Sequence, residues 1–339
     1  MDKAMGGFFE LELRKGQPLF PGARAYNLAR SAFQALLIAQ KVRRVWLPHY
    51  VCAVMPDAAR AIDVEVVRYG LDAALEPASL PSLAADEAFL YVNYFGLKDA
   101  YIHDTLVKRL RHGLIVDNSQ SLFSAAEMGV PTLYSPRKFV GVPDGGWLVN
   151  GPVDLPSATP GQSADRFEAL LGRLAGPPEA HYAAFLDVEH ALGAEGLRGM
   201  SGATAQLLDS IDYPYIEQRR RDNFSVLHDA LGPINHHGGL NLAPAPALCY
   251  PFMVADPDEA ARLRQTLLSE RVYVPCYWRE VLSEPGVPAL ERELAGRLLP
   301  LPIDQRYGVE DMNRLAAIVI DSHPRLATEP WNQNHNDCP

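Results

Sequence analysis

Leu114-Ile115-Val116-Asp117-Asn118-Ser119-Gln120, followed by Ser135-Pro136-Arg137-Lys138 and Gly141-Val142-Pro143-Asp144-Gly145-Gly146, is the stretch that decides the fold. An apolar run of three that ends in an acid predicts a strand buried on both faces, with its polar end at the edge of a sheet. The lysine then falls on a turn rich in Pro and Gly, twenty-one residues after the acid. The chain has only six lysines, and none follows Lys138.

Outward from this stretch the first 150 residues alternate between helical and strand-like segments. The spacing predicts a helix over 31–41, with Phe33, Leu36 and Leu37 on one face, and another near 54–61. Strands are expected at 45–47, 64–67, 88–95, 114–117 and 147–149, and a helix at 99–111. Alternation of this kind predicts a mostly parallel sheet sandwiched by helices. Residues 151–163, rich in Pro, Gly and Ser, read as a loop, and helical patterns follow at 165–175, 181–192 and 203–231, the last broken near Pro214. Gly232-Pro233 and Gly238-Gly239 are stop signals. They divide the chain into a large unit, 1–232, and a smaller C-terminal α/β unit, 233–324, with a polar, poorly ordered tail at 325–339. In the smaller unit, strands are expected at 248–254 and 272–274. Helices are expected at 257–270, capped by Asp256, at 289–298 and at 309–323.

Composition narrows the function. With 339 residues there is material for a large core and two domains. The net charge of -10 argues against nucleic-acid or membrane-surface binding. The four cysteines form no CxxC pair and read as reduced thiols of a cytoplasmic protein. No signal peptide and no long apolar segment is expected. His236-His237 has neither the spacing nor the third ligand of a metal site, and His335 and Cys338 read the same way, so none is expected. Arg219-Arg220-Arg221 reads as a solvated or salt-bridged helix face.

A strand-end acid and a lysine on a nearby turn suit pyridoxal 5'-phosphate (PLP). The lysine amine binds the cofactor aldehyde as a Schiff base, and the carboxylate keeps the pyridine nitrogen protonated. With those residues in hand, the chain resembles the DegT/DnrJ/EryC1/StrS sugar aminotransferases, within fold-type I PLP enzymes, over about 25–323. Asp117-Asn118-Ser119-Gln120 is similar to that family's acid-small-small-glutamine motif. Val92-Asn93-Tyr94-Phe95-Gly96 is similar to its strand-to-glycine segment, and Leu299-Pro300-Leu301-Pro302-Ile303 resembles its closing signature.

The resemblance implies that Lys138 and Asp117 are catalytic, with Asp117 on the pyridinium nitrogen and Gln120 near the phenolic oxygen. It implies Tyr50, in Pro48-His49-Tyr50-Val51-Cys52, as the residue stacked on the ring, with Cys52 as the alternative alignment. Ser31, Arg30 and Ser135 are the implied phosphate-side residues, Ser31 at a helix N-terminus, and Arg137 is a further candidate for a phosphate or an acidic neighbour. Departures are plain. Ala29-Arg30-Ser31-Ala32 replaces a small-Gly-Thr turn. Leu133 replaces a serine, and Gly196-Leu197-Arg198 lacks the asparagine that reaches the neighbouring subunit. Val274-Pro275-Cys276-Tyr277-Trp278 lacks the substrate-side histidine. The implied activity is transfer of an amino group from an amino acid, glutamate by family analogy, to a keto sugar, nucleotide-linked, in polysaccharide or secondary-metabolite biosynthesis. A homodimer is implied. A sugar dehydratase and a non-catalytic PLP-binding sensor are the alternatives, and retention of the lysine, which dehydrating relatives replace by histidine, favours transfer.

Overall fold

The computed structural model describes residues 5–110 and 112–323. The expectations for the tail, His335 and Cys338 lie outside the described residues. Nine strands share one sheet: β1 (Arg24–Tyr26), β2 (Arg44–Pro48), β3 (Glu65–Tyr69), β4 (Glu87–Val92), β5 (Leu114–Asn118), β6 (Thr132–Tyr134), β7 (Gly146–Val149), β8 (Thr159–Gly161) and β9 (Arg198–Ser201). Their order is β3-β2-β4-β5-β6-β7-β1-β9-β8. The run from β3 through β6 is parallel throughout, and β7 runs against both β6 and β1. The mostly parallel α/β sheet read from the sequence is therefore present. β4 and β5 are buried almost end to end, because helices cover both faces.

The helix Ala29–Ala39 buries Phe33, Ala35, Leu36 and Leu37 against this sheet. Its first turn lies directly on Gly146, where an added Cβ would stand 2.3 Å from the Ala29 nitrogen. The helix expected at 99–111 is a composite. Asp99–Tyr101 and Val107–Arg109 are α-helical, and Ile102–Leu106 between them is a π turn. Leu110 leaves the helical region at φ -106°, ψ 84° and ends it.

A second, two-stranded sheet pairs β10 (Tyr250–Met253) with β11 (Leu298–Leu301). Pro251 and Pro300 stand opposite one another in this ladder, which a two-stranded sheet tolerates, because each proline can turn its missing donor outward. The helices Tyr213–Leu231, Pro257–Ser269 and Val309–Ser322 close over it around Phe224, Leu227, Leu263, Leu267, Leu299 and Leu315. Fully burying side chains of this size stabilises by roughly 1.5–3 kcal/mol each. Asp256 caps its helix as expected, accepting from the Glu259 amide at 2.8 Å.

Three expectations need correction. Residues 272–274 form no strand: Tyr273 is half exposed and sends its hydroxyl to Glu179. β11 occupies the leucine-proline stretch, which has no alternation for a pattern reading to find. The loop at 151–163 contains β8, an edge strand of three residues paired to β9. No helix among the described residues is long and apolar enough to cross a membrane.

Candidate active site

The parallel strands β4, β5 and β6 end side by side, and their carboxyl ends carry the candidate residues. Asp117 pairs in register with Val92 on one side and Leu133 on the other. Its side chain is 5% exposed. One carboxylate oxygen accepts the Ser119 amide at 2.8 Å, and the other has no protein partner among the described residues. The next residue points to the opposite face, where Asn118 Oδ1 accepts from Asn93 Nδ2 at 3.0 Å. The period of two along a strand thus sends the acid to one side and the amide network to the other.

Gln120 is buried, and its Oε1 accepts the Phe95 amide at 2.9 Å. Its Nε2 donates to nothing among the described residues. Phe95 lies in the left-handed region at φ 59°, a conformation that a bulky side chain rarely adopts. Its carbonyl accepts the Leu248 amide at 3.0 Å, so this strained residue is held from both ends.

Lys138 ends the short 3-10 turn Pro136–Lys138 that follows β6. It is exposed, and its Nζ has no hydrogen-bond or ion-pair partner among the described residues. The next residue, Phe139, is 3% exposed. The turn therefore anchors itself through Phe139 and leaves the amine free. Ser135 is half-buried, and its carbonyl accepts the Lys138 amide at 3.2 Å.

The phosphate-side candidates are brought near this turn. Burial pushes the Arg30 guanidinium below its ordinary range, and Cys52, Arg137 and Glu189 are all close enough to act on it electrostatically. Arg137 is paired to Glu189 of the helix Tyr182–Ala194. Ser31 is buried, and its hydroxyl donates to the Gly196 carbonyl at 3.2 Å. Asn27 donates to Glu195 Oε2 at 3.2 Å. The segment expected to reach a neighbouring subunit thus contacts the start of the first helix in its own chain.

Tyr50 has no exposed surface. Its ring stacks on Tyr94 at 5.9 Å and meets the edge of Trp278 at 4.5 Å. Burial pushes its phenol well above the ordinary range, and the hydroxyl has no partner. Tyr50 offers no open ring face. Cys52, half-buried and within electrostatic reach of Arg30, is the residue of this loop placed beside the cluster.

Sequence reasoning missed Glu189, for which no pattern exists, and Arg220, for which one does. Ile216, Phe224, Leu227 and Leu231 form a helical stripe that includes position 220. Arg220 is buried, not on a solvated face.

A cleft of about 1220 Å³ opens nearby, lined by Arg173, Arg264, Arg306, Tyr182, Tyr273 and Tyr307 among others. It adjoins the Lys138 turn through Gln305, next to Arg306, whose Nε2 donates to the Phe139 carbonyl at 2.8 Å. Val274 and Pro275 also line it, just before Tyr277 and Trp278 pack on Phe95 and Tyr50.

No family model matches the chain, and no curated protein matches it in sequence. Solved structures do match it in fold. DesI, in the presence of its TDP-sugar product, is 18% identical, with 91% of this chain and 82% of that one covered at a TM-score of 0.60. A DegT DnrJ EryC1 StrS aminotransferase from Brucella abortus is 17% identical, with 89% and 86% covered at 0.58. NtdA from Bacillus subtilis, with bound cofactor PMP, is 13% identical, with 88% and 73% covered at 0.61. At these identities the likeness shows the fold alone, the one these solved structures share.

Proposed function

We propose that this protein is a PLP-dependent aminotransferase that moves an amino group from an amino acid, with glutamate as the candidate donor, to a keto sugar. The observation that carries the reading is the set of unspent polar atoms at the ends of β5 and β6. Asp117 has a free carboxylate oxygen, Gln120 a free amide nitrogen and Lys138 a free amine. Asp117 and Gln120 are buried residues, and their open atoms beside the exposed amine of Lys138, at neighbouring strand ends, fit a bound group.

When bound, PLP supplies an electron sink for the bond broken at the donor's α-carbon. The open oxygen of Asp117 would accept a hydrogen bond from the protonated ring nitrogen and keep it cationic. Gln120, held through its Oε1 by the Phe95 amide, would offer its amide N–H to the phenolic oxygen. Lys138, with its unpaired amine, would be the residue to hold the cofactor, and the same amine would move a proton at the donor's α-carbon. Arg30 and Arg137, with Ser31 and Ser135, form the cationic and hydroxyl side suited to phosphate. The ring-covering role passes to Cys52, since Tyr50 is enclosed.

The cleft beside Arg306 and Tyr307 has the size and the cationic, aromatic lining suited to a nucleotide-linked sugar. A cytoplasmic homodimer is the proposed state. Tyr182, Phe185, Leu171 and Leu174 are exposed on the neighbouring helices Glu168–Ala175 and Tyr182–Ala194, and an exposed apolar patch of this kind suits a second copy. The three cysteines among the described residues are free, which suits a reducing compartment. The reading is tested by incubating purified protein with PLP, glutamate and a panel of nucleotide-linked keto sugars. Formation of 2-oxoglutarate in step with an amino sugar supports it. Absence of keto acid with every amino donor rejects it.

A further inference from the structure

Arg220 is the largest fully buried side chain among the described residues, 1% exposed in the middle of the helix Tyr213–Leu231. No carboxylate lies within ion-pair distance of it among the described residues. Its Nη1 donates to the carbonyls of Ala247 at 3.1 Å and Leu248 at 3.2 Å, and its Nε has no partner. Burial pushes the guanidinium down to about 10. Asp304 acts on it only from beyond ion-pair distance and is itself paired to Arg306; a cation kept this deep without a contacting acid is expensive, and a Met or Leu on the same apolar stripe would pack more cheaply. Its presence at this position suits a role beyond packing.

The surroundings supply one. The guanidinium lies over the Phe139 ring at 4.6 Å, and Phe139 directly follows Lys138. On its other side it fixes the Leu248 carbonyl, while the Leu248 amide donates to Phe95, whose own amide is held by Gln120. Gln305 grips the Phe139 carbonyl from a third direction. One buried cation therefore braces two short paths, one ending at Lys138 and one at Gln120, and touches neither residue.

We infer that Arg220 is a positioning residue that fixes the Lys138 turn and the Gln120–Phe95 contact relative to one another. The inference rests on the aminotransferase reading for its purpose, but the bracing is a property of the chain alone.

The test uses the full-length protein with and without PLP, the wild type beside Arg220→Met, Arg220→Lys and Phe139→Leu. Amide hydrogen exchange is followed by mass spectrometry at 136–142 and 118–122. In Arg220→Met, exchange should accelerate about tenfold or more in both segments, with β4 and the second core unchanged, whether or not PLP is present. Arg220→Lys should restore part of the protection. Phe139→Leu should loosen 136–142 and leave 118–122 as in the wild type. In the loaded enzyme, Arg220→Met should lower kcat for the donor half-reaction with little change in KM. Unchanged exchange in both segments, or loosening spread evenly over the protein, overturns the inference. Local loosening in a protein that takes up no PLP supports the brace and rejects the aminotransferase reading instead.

Discussion

Gln120 Oε1 holds the amide of Phe95 at 2.9 Å, and Phe95 sits at φ 59°. A left-handed aromatic residue costs of order 1–3 kcal/mol and persists only where its surroundings enforce it. This hydrogen bond joins the strained turn after β4 to the loop after β5, and leaves the second half of the Gln120 amide unspent. Strain of this kind concentrates where a fold positions a ligand.

Gln120→Ala therefore removes more than a ligand contact. The Phe95 amide is left buried and unpaired, for a loss of about 1–3 kcal/mol in unfolding free energy. Urea denaturation checks the magnitude, and PLP affinity should fall in the same variant. A stability equal to wild type would show that the amide finds another acceptor.

Asp117→Asn separates charge from structure. The substituted amide still presents an oxygen to Ser119, so melting should change little. The loss of negative charge at the ring nitrogen should slow the donor half-reaction about 10²–10³-fold. Stopped-flow measurement with the loaded enzyme reads this directly.

Lys138 is exposed and unpaired, so Lys138→Ala should cost under about 0.5 kcal/mol of stability. Donor turnover should nevertheless fall by ~10²–10⁴ or more. Differential scanning calorimetry beside a keto-acid assay separates the two effects. A variant that unfolds would place the lysine in a structural role.

Gly146→Ala tests the seat of the first helix. The added methyl would lie 2.3 Å from backbone atoms of Leu28 and Ala29, and no rotamer change relieves a backbone clash. Overpacking of this kind costs roughly 1–3 kcal/mol. It should also displace Arg30 and Ser31, so phosphate-dependent PLP binding should weaken in proportion more than pyridoxal binding.

His237 gives a pH signature. It is 7% exposed with Nε2 unpartnered, and burial pushes it down to about 4 from an ordinary 6.5. The unfolded chain therefore takes up the proton first. Stability from this group is full above about pH 6.5 and is lost as pH falls toward 4, by up to ~3 kcal/mol. The difference in unfolding free energy between wild type and His237→Asn, followed from pH 7.5 to 4, should shrink over that window and be flat above it.

Much of the large sheet was legible because β4 and β5 are buried on both faces and read as unbroken apolar runs. The place of Asp117 was legible for a related reason: an acid that closes such a run sits at the end of the strand. The strands β1 and β6 were not, since three residues flanked by turns carry no period. β11 was hidden by its prolines. Tyr50 misled because an aromatic in a proline loop reads the same whether it faces a ligand or a neighbouring chain segment, and here Trp278, over two hundred residues away, covers it. The three consecutive arginines read as one charged surface, yet the helix turns 100° per residue and carries the middle one inward.

The central claim is that Lys138 carries PLP. The most direct measurement is the absorbance spectrum of purified protein with PLP, before and after glutamate, followed by borohydride reduction and peptide mass spectrometry. A Schiff base on Lys138 should give a visible band that yields to a near-ultraviolet one on adding glutamate. It should also give a pyridoxyl adduct on Lys138 in protein reduced before glutamate, with loss of both signals in Lys138→Ala. No visible band, or an adduct on a different lysine with the band intact in Lys138→Ala, would contradict it.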